Sequence, residues 1–175
     1  MKKDKFITVM AIFDGETQKK FEELNALMKQ KYGEDGKTQG IPYHISLGSY
    51  APGDTEMIVE RIKQVAGETK GFPVIFEGLQ HFGNVVRWMK PRMSEELMNL
   101  HLHFDSDYAN GYPEWAAHAT VFIHKEPTEL ELTEAMQEKL EALKEARIVG
   151  IELGEFFPAK FIVRELFEGE TLCCN

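Results

Sequence analysis

Two short stretches hold the residues best suited to chemistry: His44-Ile45-Ser46-Leu47 and His118-Ala119-Thr120-Val121. Both lie in β-branched, apolar runs that predict strands. Side chains on a strand alternate faces, so positions i and i+2 look the same way. Each motif therefore sets an imidazole beside a hydroxyl, while Ile45 and Leu47, and likewise Ala119, Val121 and Ile123, are expected in the opposite, apolar layer. Of the six histidines only these two are followed at the second position by a hydroxyl residue; His81, His101, His103 and His124 are followed by Gly83, His103, Asp105 and Glu126. An imidazole titrates at about 6.5, so it can accept or release a proton near neutrality. Two of them converging on one anion, with hydroxyls donating to its oxygens, make an acid–base pair with its own charge stabilisation. Taken singly, a histidine on a strand is more often a satisfied structural residue. The doubled motif is what carries the reading.

The surrounding pattern supplies elements to hold these motifs. Phe6 to Phe13 reads as a buried strand, and the apolar spacing of Phe21, Leu24, Leu27 and Met28 predicts a helix between Asp14 and Gly33. A polar, glycine-rich loop from Gly33 to Gly40 leads into the first motif strand, which ends near Tyr50. Asp54 is placed to cap a second helix with Met57, Ile58, Ile62 and Val65 as its apolar stripe. Strands follow at Phe72 to Leu79 and Val85 to Met89, joined through His81-Phe82-Gly83-Asn84. Ser94 caps a third helix carrying Leu97, Leu100 and Phe104. The second motif strand spans Ala116 to Ile123, a long charged helix Thr128 to Arg147, and two last strands lie near Gly150 to Phe157 and Lys160 to Leu166. The run strand, helix, strand pair that starts at His44 recurs 74 residues later from His118. That order predicts an α+β fold of two pseudo-symmetric lobes, each an antiparallel sheet with helices on its outer face, within one domain over residues 1–175.

Composition narrows the partners. The 175 residues carry 29 acidic and 20 basic side chains, a net charge of −9. Binding along a nucleic-acid track comes from neutralising many backbone phosphates, so this balance speaks against a long track and leaves small phosphate esters open. No stretch approaches the roughly 20 apolar residues of a membrane span. The two cysteines, Cys173 and Cys174, are adjacent near the end, which suits a reducing compartment, and the run after Lys2, Lys3 and Lys5 lacks a cleavage site. A cytoplasmic location and a monomer are expected.

With its two His-x-Ser/Thr-apolar signatures, its apolar first strand, its early helix and the Pro42-Tyr43 lead-in, the chain resembles the 2H phosphoesterase superfamily, which includes 2′-5′ RNA ligase-like proteins and cyclic phosphodiesterases. Ser46 stands where Thr is commoner. The resemblance covers nearly the whole chain and implies a bilobal fold with the active site in the cleft between the lobes. It implies catalysis by His44 and His118, phosphate binding by Ser46 and Thr120, and no cofactor or metal. The implied substrate is a nucleotide or short RNA end bearing a 2′,3′-cyclic phosphate or a 2′-5′ linkage. Cleaving such an ester needs a base for the attacking oxygen and an acid for the leaving one, which two histidines supply.

Other residues have weaker claims. Aromatic rings stack on bases, so Tyr43, Tyr50, Trp88, Tyr112 and Trp115 are candidates, with Tyr43 and Trp115 favoured because each lies beside a motif. His124 is expected on the His118 face, where it would line the cleft. Two other readings remain: a nucleotide-binding module without turnover, and a metal-dependent hydrolase using His101, His103, Asp105 and Asp107.

Overall fold

The computed structural model describes residues 5–106 and 114–172. Lys2, Lys3, Asp107, Tyr112, Cys173 and Cys174, which figure in the sequence reading, lie outside them. The elements are β1 (Phe6–Phe13), α1 (Gly15–Tyr32), β2 (His44–Tyr50), α2 (Thr55–Glu68), β3 (Phe72–Phe82), β4 (Val86–Pro91), α3 (Glu95–Leu102), β5 (Ala119–Ile123), α4 (Glu134–Ala142), β6 (Glu145–Phe156) and β7 (Lys160–Leu166). The fold is α+β.

All pairings are antiparallel, in the order β2-β1-β6-β3-β4-β5, with β7 also on β6. The two lobes share a strand. Phe72 to Ile75 of β3 pair with β6, whereas Phe76 and Leu79 to Phe82 pair with β4, across a register shift. One lobe is thus β2-β1-β6-β7 and the other β3-β4-β5. The motif strands β2 and β5 are the two ends of the path and contact each other. The recurring order is β2-α2-β3-β4 and β5-α4-β6-β7.

The core explains why these segments hold. Ile7, Val9, Ala11 and Phe13 of β1 join Ile45, Leu47, Ala119, Val121 and Phe122 in one cluster with Phe21, Leu24 and Met28 of α1. Asp14 caps α1 by accepting from Thr17 N, and Ser94 caps α3 by accepting from Leu97 N.

Three local expectations fail. Met57 lies one position off the buried stripe of Ile58, Ile62 and Val65 and is 52% exposed. The side chain of Asp54 makes no cap bond, because a 3₁₀ turn over Pro52–Asp54 already leads into α2. The long helix from Thr128 shrinks to nine residues. Thr133 caps it, and Glu145 to Arg147 are taken by pairing with Ile75 to Pro73 of β3, where sheet partners override the helix propensity of these residues. Among the described residues no helix is long and apolar enough to cross a membrane.

Candidate active site

His44 opens β2 and His118 immediately precedes β5. With Ser46 and Thr120 they line one cleft of about 190 Å³, together with Phe6, Thr8, Lys37, Tyr43 and Phe156. The two imidazoles are held alike. His44 Nδ1 donates to the carbonyl of Pro42 at 2.7 Å, and His118 Nδ1 donates to the carbonyl of Ala116 at 2.6 Å. A carbonyl can only accept, so in each neutral ring the proton sits on Nδ1 and exchange with a ligand falls to Nε2.

Both motif strands carry a β-bulge at the same place. On β2 the register jumps from Met10–Ser46 to Val9–Gly48, leaving Leu47 as the extra residue. On β5 it jumps from Trp88–Thr120 to Arg87–Phe122, leaving Val121. The apolar fourth residue of each motif is the bulged one, and each bulged carbonyl is met by a buried side chain. His101 Nδ1 donates to Leu47 O at 2.8 Å, and Asn25 Nδ2 donates to Val121 O at 2.8 Å. A buried carbonyl without a partner costs about 1–3 kcal/mol, so these contacts hold the bulges in place.

The bulge corrects two expectations. An extra residue reverses the alternation of faces beyond it. Ile123 therefore lines the cleft, although the alternation places it in the apolar layer. His124 turns away from the cleft and is 4% exposed, packed edge-on against Tyr32 and Phe122, its Nε2 accepting from Arg87 Nε at 3.3 Å.

The aromatic candidates divide. Tyr43 lines the cleft, but both ring faces are occupied: it stacks on Phe21 at 4.8 Å and carries the Lys37 ammonium 3.5 Å from its centroid. Trp115 is not among the residues lining the cleft. Its ring stacks on His101 at 3.7 Å and its Nε1 donates to Ser46 O at 2.8 Å, bracing the outer edge of β2. Tyr50 is buried, its hydroxyl donating to Phe104 O. Trp88 stacks on Phe82, and both set their rings edge-on to His118. The pair Phe6 and Phe156, stacked at 5.2 Å on neighbouring strands, is an aromatic wall of the cleft that the sequence reading does not single out.

Each motif strand is an edge, and each is covered from the other half. Asp35 Oδ1 accepts from Ile123 N at 3.0 Å and Gly36 N donates to Ile123 O at 2.8 Å, seating the loop before β2 on β5. Ser106 bonds both Ser49 N and Ser49 O, seating the segment before β5 on β2. Gly48 is required there, because a Cβ at that position would overlap the carbonyl of Phe104.

The site is electrostatically lopsided. Burial pushes His44 down to about 4, against the Pro42 carbonyl, with positive charge on His118 and Lys37 adding to the depression. Burial also lowers His118, against the carbonyl of Ala116. Among the described residues lining the cleft, Lys37 is the one Lys or Arg, and burial lowers it to about 8. Neither Lys37 nor Asn25 is signalled by a sequence motif. Elsewhere, among the described residues, no three His, Cys, Asp or Glu side chains gather as a metal site. His101 is buried, with Nδ1 on Leu47 and Nε2 3.8 Å from Asp105.

No family model matches this sequence, and no curated protein matches it. Solved structures do match, over nearly the full length. E. coli LigT complexed with ATP aligns with a TM-score of 0.64 at 10% identity, covering 92% of this chain and 96% of that one. TT0787 of Thermus thermophilus aligns with a TM-score of 0.63 at 14% identity, covering 95% and 100%. The fold is that of the 2H phosphoesterases. LigT has also been solved with 3′-AMP, and that structure matches with a TM-score of 0.58 at 10% identity over 95% of this chain and 99% of its own.

Proposed function

We propose that the protein is a phosphodiesterase that cleaves 2′,3′-cyclic or 2′-5′ phosphodiester bonds of nucleotides or short RNA, with His44 and His118 as its acid–base pair and no metal required. The observation that carries this is the matched pair of motifs: two rings clamped through Nδ1 by the carbonyl two residues upstream, facing one cleft with a hydroxyl beside each. For a cyclic phosphate, one Nε2 takes a proton from water as its oxygen bonds to phosphorus. The bond from phosphorus to one ribose oxygen breaks, and that oxygen takes a proton from the other Nε2. Ser46 and Thr120 donate to the non-bridging oxygens, where charge builds in the transition state. Proton exchange with solvent resets the pair.

Three further features favour a nucleotide. The fold is shared with LigT, whose structures hold ATP and 3′-AMP. Phe6 and Phe156 give the cleft a wall of the kind on which bases stack. Among the described residues no carboxylate lines the cleft to repel a phosphate.

The test is cleavage of a panel of 2′,3′-cyclic nucleotides and 2′-5′ dinucleotides, with chelator present, by the intact protein and by His44→Ala and His118→Ala. Turnover of at least one member is expected, lowered about 10²–10⁴-fold in each variant. Activity that survives either substitution refutes the paired role. Saturable nucleotide binding with no turnover by the intact protein leaves a binding module instead.

A further inference from the structure

Phe161 on β7 is 58% exposed, an aromatic ring left in water at the far edge of the lobe β2-β1-β6-β7. Strand register shows which way it faces. Phe161 pairs with Gly154 of β6, and Gly154 pairs with Thr8 of β1, which lines the cleft. We propose that Phe161 is the platform for a second base, and that the ligand is the end of an oligonucleotide of two nucleotides or more. The nucleotide with the reacting phosphate lies against Phe6 and Phe156, and the base of its neighbour stacks on Phe161. This assignment rests on the phosphodiesterase reading above.

Alternation separates the two faces of this lobe. Ile7, Val9 and Ala11 of β1 and Ile151 and Leu153 of β6 point into the core. Phe6, Thr8 and Met10, with Glu152, Gly154 and Phe156 as their partners, therefore form the opposite face, where the cleft lies. Cross-strand partners share a face, so Phe161 stands on it too. A bulge at Ile162, where the register jumps from Leu153–Val163 to Gly154–Phe161, brings Arg164 to the same side. There Arg164 Nε donates to Glu152 at 2.7 Å, and its guanidinium stands 5.9 Å from the Phe161 centroid.

The spacing suits adjacent bases. Phe6 and Phe156 sit opposite each other, stacked at 5.2 Å, and Phe161 is diagonal to Phe156, a step of about 7–8 Å along the face. Two strand spacings, about 10 Å, separate Thr8 from Phe161, and the residue between them is a glycine. A Cβ at Gly154 would meet Met10 Cε at 3.2 Å and lie 3.7 Å from Ile41 Cδ1, another lining residue of the cleft. No side chain of β6 thus stands between Thr8 and Phe161. Glu152, the carboxylate on this face, is buried and ion-paired with Arg164, so its charge is met. Bases of any identity stack on aromatic rings. A second nucleotide is the fitting occupant because the face continues from the cleft, and a group already tethered to the first reaches it at high effective concentration.

Equilibrium binding to the full chain tests this with three probes: 3′-AMP, adenylyl-adenosine 3′-phosphate, and the same dinucleotide with its upstream base removed. The parent should hold the complete dinucleotide about tenfold more tightly than either of the others. Phe161→Ala and Phe161→Leu, which both remove the flat ring, should bring the complete and abasic dinucleotides to within about twofold, and Phe161→Tyr should keep the preference. Equal binding of those two by the parent, a preference that survives both substitutions, or no binding of the dinucleotide at all overturns the assignment. Sedimentation of the parent and of Phe161→Ala tests for a protein occupant. A monomer in both is expected, and a parent dimer that the substitution dissociates gives the ring to a second copy instead. Failure of the phosphodiesterase reading looks different: the probes keep their order of affinity while no ester is cleaved.

Discussion

Burying an imidazole has a cost in stability that can be isolated by replacing His44 with glutamine, whose amide can still donate to the Pro42 carbonyl. In the unfolded chain His44 titrates at about 6.5, and in the folded protein burial takes it down to about 4. Between those values the unfolded state binds more protons than the folded one, so stability is full above about pH 6.5 and falls as pH drops toward about 4. At about pH 5 the loss from this one residue works out at about 2 kcal/mol, rising to about 3 kcal/mol below about pH 4. For a chain of this length, about 2 kcal/mol corresponds to roughly 4–8 °C in Tm. Urea unfolding of the parent and of His44→Gln at about pH 7.5 and about pH 5 measures it. Carboxylates, His118 and His124 titrate in both proteins, so their contributions cancel in the difference. The variant should lose about 2 kcal/mol less than the parent on acidification. Equal losses would mean that His44 is hydrated in the folded state, and the desolvation argument for its low proton affinity would fall with that result.

Other consequences are as open to test. Gly48→Ala should destabilise by roughly 1–3 kcal/mol, because the new Cβ must displace the chain at Phe104 that covers β2; an unchanged urea midpoint would contradict that seating. Phe156→Ala should raise KM for nucleotide substrates about tenfold with little change in kcat, as loss of a stacking surface does. The parent should handle all four bases within a few-fold, since among the described residues no carboxamide or carboxylate lines the cleft to read a base edge. Strong preference for one base would show that the ring is held elsewhere.

Much of this was legible because the relevant signals are local. Imidazole and hydroxyl at i and i+2 need only a strand to face the same way, and β-branched runs announce strands. The repeated order from His44 and His118 is likewise written in element periodicity. What sequence cannot express is where a partner strand forces an extra residue. A single bulge at Val121 moved Ile123 into the cleft and His124 out of it, and only pairing with Arg87 and Trp88 reveals it. The same limit applies to Lys37, an ordinary lysine in a polar loop until Asp35 ties that loop to a strand 88 residues away. Trp115 shows the converse: proximity to a motif along the chain put it at the edge of β2, bonded to the backbone of Ser46, outside the cleft. The helix from Thr128 failed because charge and leucine spacing persist into residues that β3 recruits as a strand.

The exchange of edge covers between the lobes bears on whether either could exist alone. The stretch leading to the first motif shields the strand of the second, and the stretch leading to the second shields the strand of the first. Cut anywhere between them, each fragment would expose a row of backbone donors and acceptors on the strand that carries its histidine, along with a bulged carbonyl robbed of His101 or Asn25. Such an edge seeks a mate. Within the intact chain each half supplies that mate to the other.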